Sequence, residues 1–303
     1  MDAGTHIALR AALAAAVCLI GSAGCKDAGD SPSRPDAPER PSSCPETREV
    51  ETPLPNVAAP HETLEYWLGR QQAYGPIDEP LMSPEAIQRH QLALQEPLDG
   101  EPIGQADLLA PVDRESLQRQ LGERLAYMMG RIDGGELVDS RGRALSEEQR
   151  ASFELAAPMV AVDEWRVVEN MEALRCGPYD GGLYTLPVDA DFDRNRCSTM
   201  RKGEVVQLLA RWTNRMYLAR TAYALGWIRI DSLSSPIDRE AVEAERQAVE
   251  PRPFTRRELL TEAFSMLGEP YGWGGKDGGY DCSRFLLEVF SRFGLGLPRH
   301  SAR

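Results

Sequence analysis

The chain has 303 residues, with 47 Asp or Glu against 34 Lys or Arg, so its formal net charge is −13. Apolar residues make up 42% and charged residues 27%, a composition that excludes a wholly disordered chain and a polytopic membrane protein. Binding to nucleic-acid phosphates needs clustered Lys and Arg, so this acidic balance predicts no nucleic-acid partner. The length allows about two domains, or three small ones.

Residues 1–24 have the pattern of an export signal. Arg10 precedes an apolar run over residues 11–24, which is too short to span a bilayer as a helix and has the length of a signal-peptide core. Small residues then lead into Cys25, and the segment resembles a bacterial lipoprotein signal, in which this cysteine is lipidated. An ordinary secretory signal or a misassigned start are the alternatives. We expect an exported bacterial lipoprotein, anchored in a membrane through Cys25 and facing the periplasm or the cell wall.

Residues 25–60 comprise the lipidated cysteine and a tether. The stretch is rich in Pro, Ser and charged residues, so it cannot bury enough apolar surface to offset the entropy lost on ordering. We therefore predict a disordered tether that holds the folded part away from the membrane. Cys44 lies in this tether, either as a free thiol or in an intermolecular disulfide.

Residues 61–158 are predicted to form a helical N-terminal domain. The strongest helix has Asp113 as its N-cap and stops at Gly134. Its apolar residues recur at helical spacing, at Leu117, Leu121, Leu125, Met128 and Ile132. No grouping of side chains in this region indicates catalysis.

Residues 160–235 change to short alternating runs separated by Gly, Asn and Pro, which predict a small β-barrel. The segment 202–233, with KGEVVQLLARW, YLAR and GWIRI, resembles a bacterial SH3-like domain of cell-wall enzymes. Cys176 and Cys197 flank a long loop; in an exported protein they could form a disulfide, and two buried thiols are the alternative. Residues 236–253 are predicted to be a short helical linker.

The chemistry lies in residues 254–303. A glycine loop, PYGWGGKDGG at residues 270–279, leads to Asp281 and Cys282, after which an amphipathic helix begins. Cys282 is therefore placed in the first helical turn, where unpaired amides and the macrodipole favour the thiolate that attacks carbonyls. The same amides could stabilise a tetrahedral oxyanion. The alternative is a structural or disulfide-bonded cysteine.

This region resembles the NlpC-type cysteine peptidases of bacterial cell walls. The shared string is a helix ending in LG, then PYGWGG, DCS before an amphipathic helix, and GLGLPRHS. The resemblance implies the N-terminal part of a papain-like α+β peptidase domain, with Cys282 as the nucleophile. It also implies that Asp281 and Ser283 recognise the free amine of an N-terminal L-Ala on a peptidoglycan stem peptide, although Asp281 also suits a helix N-cap. Arg284 replaces the commoner Gly and is expected to alter local packing.

The order of the regions along the chain also resembles that of particular family members, and this implies a substrate bond. A multidomain α+β chain with a helical segment, an SH3-like barrel and then the peptidase is typical of endopeptidases that cut between γ-D-glutamate and a diamino acid. In those proteins an aromatic side chain of the barrel narrows the cleft, and Tyr179 and Tyr184 are the candidates here. No cofactor is implied, and no metal site is expected because the six cysteines contain no CxxC pair.

The general base of the family is a His on a later strand, and the sequence reaches Arg303 before such a strand. His300 follows the helix directly and is not expected to take that role. We therefore expect an incomplete peptidase domain, from a fragment or a frameshift, without efficient turnover. The alternative is a non-catalytic, cell-wall-binding lipoprotein that uses the SH3-like domain. A Cys-dependent acyltransferase or lipid amidase is a weaker third reading.

Overall fold

The computed structural model describes residues 57–95, 108–154, 160–247 and 251–299. These residues belong to one compact unit. The predicted export signal and tether up to residue 56 lie outside the described residues, including Cys25 and Cys44, and so does His300. The described ranges contain both helices and an antiparallel sheet, which confirms a mixed α and β fold.

Helices flank the sheet in the chain. The α-helices of the described ranges are α1 Leu64–Gln71, α2 Pro84–Gln95, α3 Arg114–Asp133, α4 Glu147–Ala151, α5 Arg239–Gln247, α6 Arg256–Ser265 and α7 Cys282–Ser291. Short 3-10 helices occupy Ala59–Glu62, Gln72–Tyr74, Ile230–Ser232 and Trp273–Gly278. None of the described helices is both long enough and apolar enough to cross a membrane.

Six strands form one antiparallel sheet in the order β1-β4-β5-β6-β2-β3. They are β1 Val160–Val167, β2 Glu172–Arg175, β3 Arg196–Met200, β4 Val205–Arg211, β5 Met216–Arg220 and β6 Leu225–Arg229. The order places β1 and β3 at the two edges. An SH3-like assignment for this sheet stays a prediction.

Alternation along the central strands gives the sheet two apolar faces. One face joins the buried side of α3 and includes Leu209, Met216, Leu218, Leu225 and Trp227. The other face includes Val206, Leu208, Ala219 and Ile228, together with Leu287 of α7. The sheet is therefore the layer that separates α3 from the helix that carries Cys282.

Helix α3 forms as its sequence pattern predicts. The Asp113 side chain accepts hydrogen bonds from the amides of Glu115 and Ser116 at 3.1 and 3.3 Å, so it caps the first turn. All five apolar residues named from the periodicity are buried. Helix α5 lies where the sequence predicts a short helical linker, and Val242 on it packs with Leu108, Leu109 and Val205.

Helix α7 and the residues after it bury three of the five apolar side chains that the sequence predicts for the core face. The sequence favours Phe285, Leu286, Val289, Phe290 and Phe293, but the buried residues are Arg284, Leu287, Val289, Phe290 and Phe293. Phe285 and Leu286 are only partly buried. The helix is turned so that Arg284 faces the sheet, where carboxylates compensate its charge, and this long-range pairing decides which face is covered.

Candidate active site

The glycine loop is docked on edge strand β3. Gly274 and Gly275 have φ angles of 61° and 79° and are buried. A Cβ at these positions would lie 2.6 Å from the side chain of Arg196 and 2.9 Å from that of Thr199, respectively. Thr199 Oγ1 also donates a hydrogen bond to the Gly274 carbonyl at 2.8 Å. Only glycine allows the loop backbone to lie this close to β3. The close packing and the Thr199 hydrogen bond fix the loop where it leads into α7.

The segment before β3 holds the other side of the glycine loop. Trp273 Nε1 donates to the Asp193 carbonyl at 3.0 Å, and its ring meets Phe192 edge-on with centroids 5.5 Å apart. Lys276 Nζ pairs with Asp191 at 2.7 Å. The long loop between Cys176 and Cys197 therefore forms part of the surface around the candidate nucleophile.

Cys282 is the first residue of α7, and its thiol is exposed and free. Asp281 is the N-cap of this helix and accepts from the Arg284 amide at 2.9 Å. The remaining amides of a first helical turn have no intrahelical partner and point toward the N-terminal end. The sulfur therefore lies at the helix end and in contact with solvent, where the sequence places it.

The Asp281 carboxylate accepts hydrogen bonds on both oxygens. One oxygen accepts from the Arg284 amide at 2.9 Å and the Ser283 hydroxyl at 3.2 Å; the other accepts from the Gly274 amide at 2.9 Å and Arg299 Nη2 at 2.6 Å. Burial alone would raise the pKa of Asp281, but the Arg299 guanidinium and the two amides hold it below its usual value. Asp281 is thus an ionised carboxylate that fixes the segment around Cys282.

Arg299 is a buried cation that sequence analysis did not assign to the site. Its Nε donates to Ser198 Oγ on β3 at 3.0 Å, and its two terminal nitrogens donate to Ser283 Oγ at 2.5 Å and Asp281 at 2.6 Å. Its side chain is only 3% exposed. One guanidinium therefore joins the sheet, the N-cap and the residue that follows Cys282. Its position in the LPRHS string was the only sequence feature that pointed to the site. Its partners could not be predicted, because they depend on the path of the chain after α7.

Arg284 ties α7 to the sheet. Its Nη2 donates to Glu204 at 2.6 Å and pairs with Glu288 at 2.5 Å, and its guanidinium stacks over the Tyr223 ring at 4.7 Å. Burial opposes the charged form, but Tyr223, Glu204 and Glu288 together raise the pKa of Arg284 above its ordinary value. Arg284 thus supplies packing and charge at the interface between helix and sheet.

Tyr271 is a further residue of the site that sequence analysis did not single out. It is 59% exposed, and its backbone forms a parallel bridge with Tyr280. Partial burial raises the pKa of the Tyr271 phenol, and the charges of Cys282 and Asp281 add to this shift. The bridge places Tyr271 beside Tyr280, two residues before Cys282, and its place in the PYGWGG string was the signal for it.

The two candidate cleft tyrosines occupy different surroundings. The Tyr179 hydroxyl accepts from Gln149 at 2.8 Å, and its ring lies 6.3 Å from that of Phe153. Tyr184 exchanges two backbone hydrogen bonds with Val138, each at 2.9 Å. A cleft-narrowing role for either tyrosine stays a prediction.

Cys176 and Cys197 form a disulfide bond with Cα atoms 5.0 Å apart. The bond closes the loop that carries Phe192 and Asp193 beside the glycine loop. Among the described residues, Cys282 is the free cysteine. The described histidines lie elsewhere: His61 is within 3.1 Å of the Tyr66 hydroxyl, and His90 is on α2. No hydrogen bond joins a described histidine to Cys282.

Residues 268–303 match the model of the NlpC/P60 family. This match confirms the resemblance for the segment that carries Asp281, Cys282 and Ser283. Probable endopeptidases of Mycobacterium bovis and Mycobacterium tuberculosis are 38% identical over 47 residues, which are 15% of this chain and 12% of theirs. The match thus spans only a small part of the length of these curated relatives.

A solved structure supports the fold over a longer range. An NlpC/P60 endopeptidase from Photobacterium damselae subsp. piscicida superposes with a TM-score of 0.52 at 15% identity. The superposition covers 74% of this chain and 66% of that one. The similarity therefore extends beyond the segment matched by the family model, and at this identity it concerns the fold alone.

Proposed function

We propose that this chain is a cysteine endopeptidase of peptidoglycan stem peptides, in which Cys282 cuts near the bond between γ-D-glutamate and a diamino acid. The observation that carries the proposal is the exposed, free thiol at the N-terminus of α7, within the segment that matches the NlpC/P60 family. The names of the matched relatives, all endopeptidases, support the same reaction class.

The proposed reaction uses the position of the sulfur at the helix end. Sγ of Cys282, as the thiolate, adds to the carbonyl carbon of the scissile amide, and the resulting oxyanion faces the amides of the first turn. The C–N bond then breaks, the amine leaves with a proton, and the glutamyl γ-carbonyl remains as a thioester. Water hydrolyses this thioester and restores the thiol. Both proton transfers need a general acid–base group, which we expect from a histidine.

We propose that Asp281 and Ser283 contribute to the subsite for the free amine of L-Ala. The ionised Asp281 is suited to an ammonium group, and Arg299 holds both residues in one arrangement. Tyr179 and Tyr184, both in the loop between Cys176 and Cys197, are the candidates for narrowing this subsite. We also propose that the six-stranded sheet is an SH3-like domain that supports the peptidase segment. Its strand β3 already holds the glycine loop through the hydrogen bond from Thr199.

The experiment is hydrolysis of an L-Ala-γ-D-Glu-diamino acid peptide, followed by mass spectrometry of the products. We expect release of the diamino acid to be slow, by about 100-fold or more against an NlpC/P60 peptidase with a histidine base, because neither described histidine hydrogen-bonds to Cys282. Cys282→Ser, the matched control, is expected to give none. Equal product from Cys282→Ser would refute the nucleophile, and turnover equal to that of the reference peptidase would refute the need for a further base.

A non-catalytic, cell-wall-binding lipoprotein is the second candidate. It is favoured by the lack of a hydrogen bond between Cys282 and either described histidine. Retention of the chain on purified peptidoglycan, equal in the wild type and Cys282→Ser and without any product, would support this candidate over the first.

We propose that the chain is exported and anchored through a lipid on Cys25. The pattern of residues 1–25 supports this localisation. In cells, wild-type protein is expected in the membrane fraction, whereas Cys25→Ser is expected in the soluble exported fraction. Identical fractionation of the two proteins would contradict a lipid anchor.

A further inference from the structure

The Arg194 guanidinium is held on an aromatic platform formed by Trp273 and Phe192. It lies over the Trp273 ring at 4.9 Å and over the Phe192 ring at 5.9 Å. The neighbouring basic side chains do have carboxylate partners: Lys276 pairs with Asp191, and Arg175 pairs with Asp193. Within the described ranges, no Asp or Glu forms an ion pair with Arg194. This cation is therefore oriented by stacking and keeps its hydrogen-bond donors available to a ligand.

The platform is part of the surface around Cys282. Trp273 belongs to the glycine loop, two residues after Tyr271. The amide of the next residue, Gly274, donates to Asp281 at 2.9 Å, and Asp281 directly precedes Cys282, so the platform and the candidate nucleophile lie on one surface. Tyr271 is 59% exposed and Cys282 is exposed, which leaves this region open to a peptide.

The proposed substrate is anionic on both sides of the scissile bond. A glutamate linked through its γ-carbonyl keeps a free α-carboxylate, and a C-terminal diamino acid carries a second one. Close to Cys282, the charge of Asp281 is already paired with Arg299 at 2.6 Å. Arg194 is thus a cation of this surface that remains available to balance a substrate carboxylate.

We propose that Arg194 is a specificity-determining residue that binds a carboxylate flanking the scissile bond. The inference rests on the proposed function, because the carboxylate belongs to the proposed peptide. Stacking on Trp273 fixes the guanidinium plane in advance, so binding costs little side-chain freedom. Arg194 contacts the substrate away from the reacting atoms and does not act on the scissile bond.

The test measures affinity in the full chain carrying Cys282→Ala, which prevents turnover. Three fluorescent L-Ala-γ-D-Glu-diamino acid peptides are compared by anisotropy: one with both carboxylates free, one amidated at the glutamyl α-carboxylate, and one amidated at the diamino acid. The added variants are Arg194→Gln and Arg194→Lys. Arg131→Gln is the matched control, since Arg131 stacks over Tyr127 at 5.8 Å on α3, which covers the opposite face of the sheet.

We expect one of the two amidations to weaken binding about fivefold, which identifies the carboxylate that Arg194 binds. Arg194→Gln is expected to remove this preference, Arg194→Lys to retain part of it, and Arg131→Gln to leave it unchanged. A preference that persists in Arg194→Gln, or no preference in the parent chain, would overturn the inference. If the Arg194 inference fails while Cys282-dependent hydrolysis is observed, the proposed function survives. If none of the three peptides binds, the result counts against both the inference and the proposed function.

Discussion

Cysteine occurs in two settings in the described part of the chain, and the settings differ in the properties that control reactivity. Cys176 and Cys197 are joined in a disulfide, and Cys197 is buried at 5% exposure on β3. Cys282 is free and exposed at the start of a helix. Cysteine is therefore a structural disulfide in one place and a candidate nucleophile in the other. Exposure and the position at a helix N-terminus favour reactivity only for Cys282.

The two settings are also physically connected. The disulfide closes the loop that bears Asp193, and the Asp193 carbonyl accepts the hydrogen bond from Trp273 in the glycine loop. The sheet and its long loop thus form a support for the segment that presents Cys282. A substitution in the sheet or its long loop is expected to affect stability alone. A substitution in the segment around Cys282 is expected to affect both stability and the reactivity of the sulfur.

The largest effect on stability is expected from Arg299→Gln. It removes a buried cation and leaves the Asp281 carboxylate without its ion pair, which costs about 3–5 kcal/mol of unfolding free energy. Urea denaturation measures the loss, and the alkylation rate of Cys282 is expected to change with it. Arg299→Lys, which keeps the charge, serves as the control. A loss below about 1 kcal/mol would show that the buried pair does not hold this segment.

The double substitution Cys176→Ser with Cys197→Ser is expected to cost about 3 kcal/mol, since the disulfide closes a loop with a sequence separation of 21. In the fraction that remains folded, the alkylation rate of Cys282 should stay within about twofold of the wild type, because Arg299 and Asp281 still hold α7. A larger change in that rate would show that the two cysteine settings are not separable.

Asp281→Asn retains a good N-cap but removes the charge that pairs with Arg299. We expect a loss of about 2 kcal/mol at pH 7, less than for Arg299→Gln, because the asparagine carbonyl oxygen still accepts a hydrogen bond from Arg299. The pKa of Asp281 is lowered in the folded chain from its ordinary value of 3.8, so its charge stabilises the fold above that pH and the contribution is lost as the pH falls through the folded pKa. The difference in denaturation between the two proteins should therefore shrink from pH 7 to pH 3. A difference that is constant with pH would contradict an ionised Asp281.

The smallest effect is expected from Gly275→Ala. Its φ is 79°, and a Cβ would lie 2.9 Å from Thr199, so the loop must shift on β3 at a cost of about 1–2 kcal/mol. Gly130→Ala on α3 is the matched control, because a Cβ there meets nothing within 4 Å. That change is expected to stabilise by about 0.5–1 kcal/mol. Thermal denaturation of both variants tests the contrast, and an equal effect of the two substitutions would contradict the docking of the loop.

Local signals in the sequence were sufficient for the elements that place the nucleophile. The spacing of apolar residues and the Asp113 cap predict α3, and a glycine loop before an amphipathic helix predicts the position of Cys282. These features depend on residues a few positions apart, so a single sequence records them directly.

Other features depend on contacts between distant segments. Strands β2 and β3 escaped prediction because β2 has four residues and β3 carries buried Ser198 and Thr199 instead of an apolar alternation. Arg284 and Arg299 find their partners Glu204 and Ser198 at separations of 80 and 101 residues. No local pattern encodes such pairings, which is why Phe285 and Leu286 were assigned to the core in place of Arg284 and Leu287, and why the Arg299 network was missed.

The assignment of Cys282 as nucleophile is tested by an L-Ala-γ-D-Glu chloromethyl ketone, in which the ketone replaces the scissile carbonyl and the chloromethyl group that cysteine alkylates replaces the leaving amine. Adducts are mapped by mass spectrometry of peptides from the native 303-residue chain and from the chain unfolded in urea. We expect selective modification of Cys282 in the native protein, at a rate well above that of the unfolded chain, with Cys176 and Cys197 unmodified. An unmodified Cys282, or a native rate no greater than the unfolded one, would contradict the assignment.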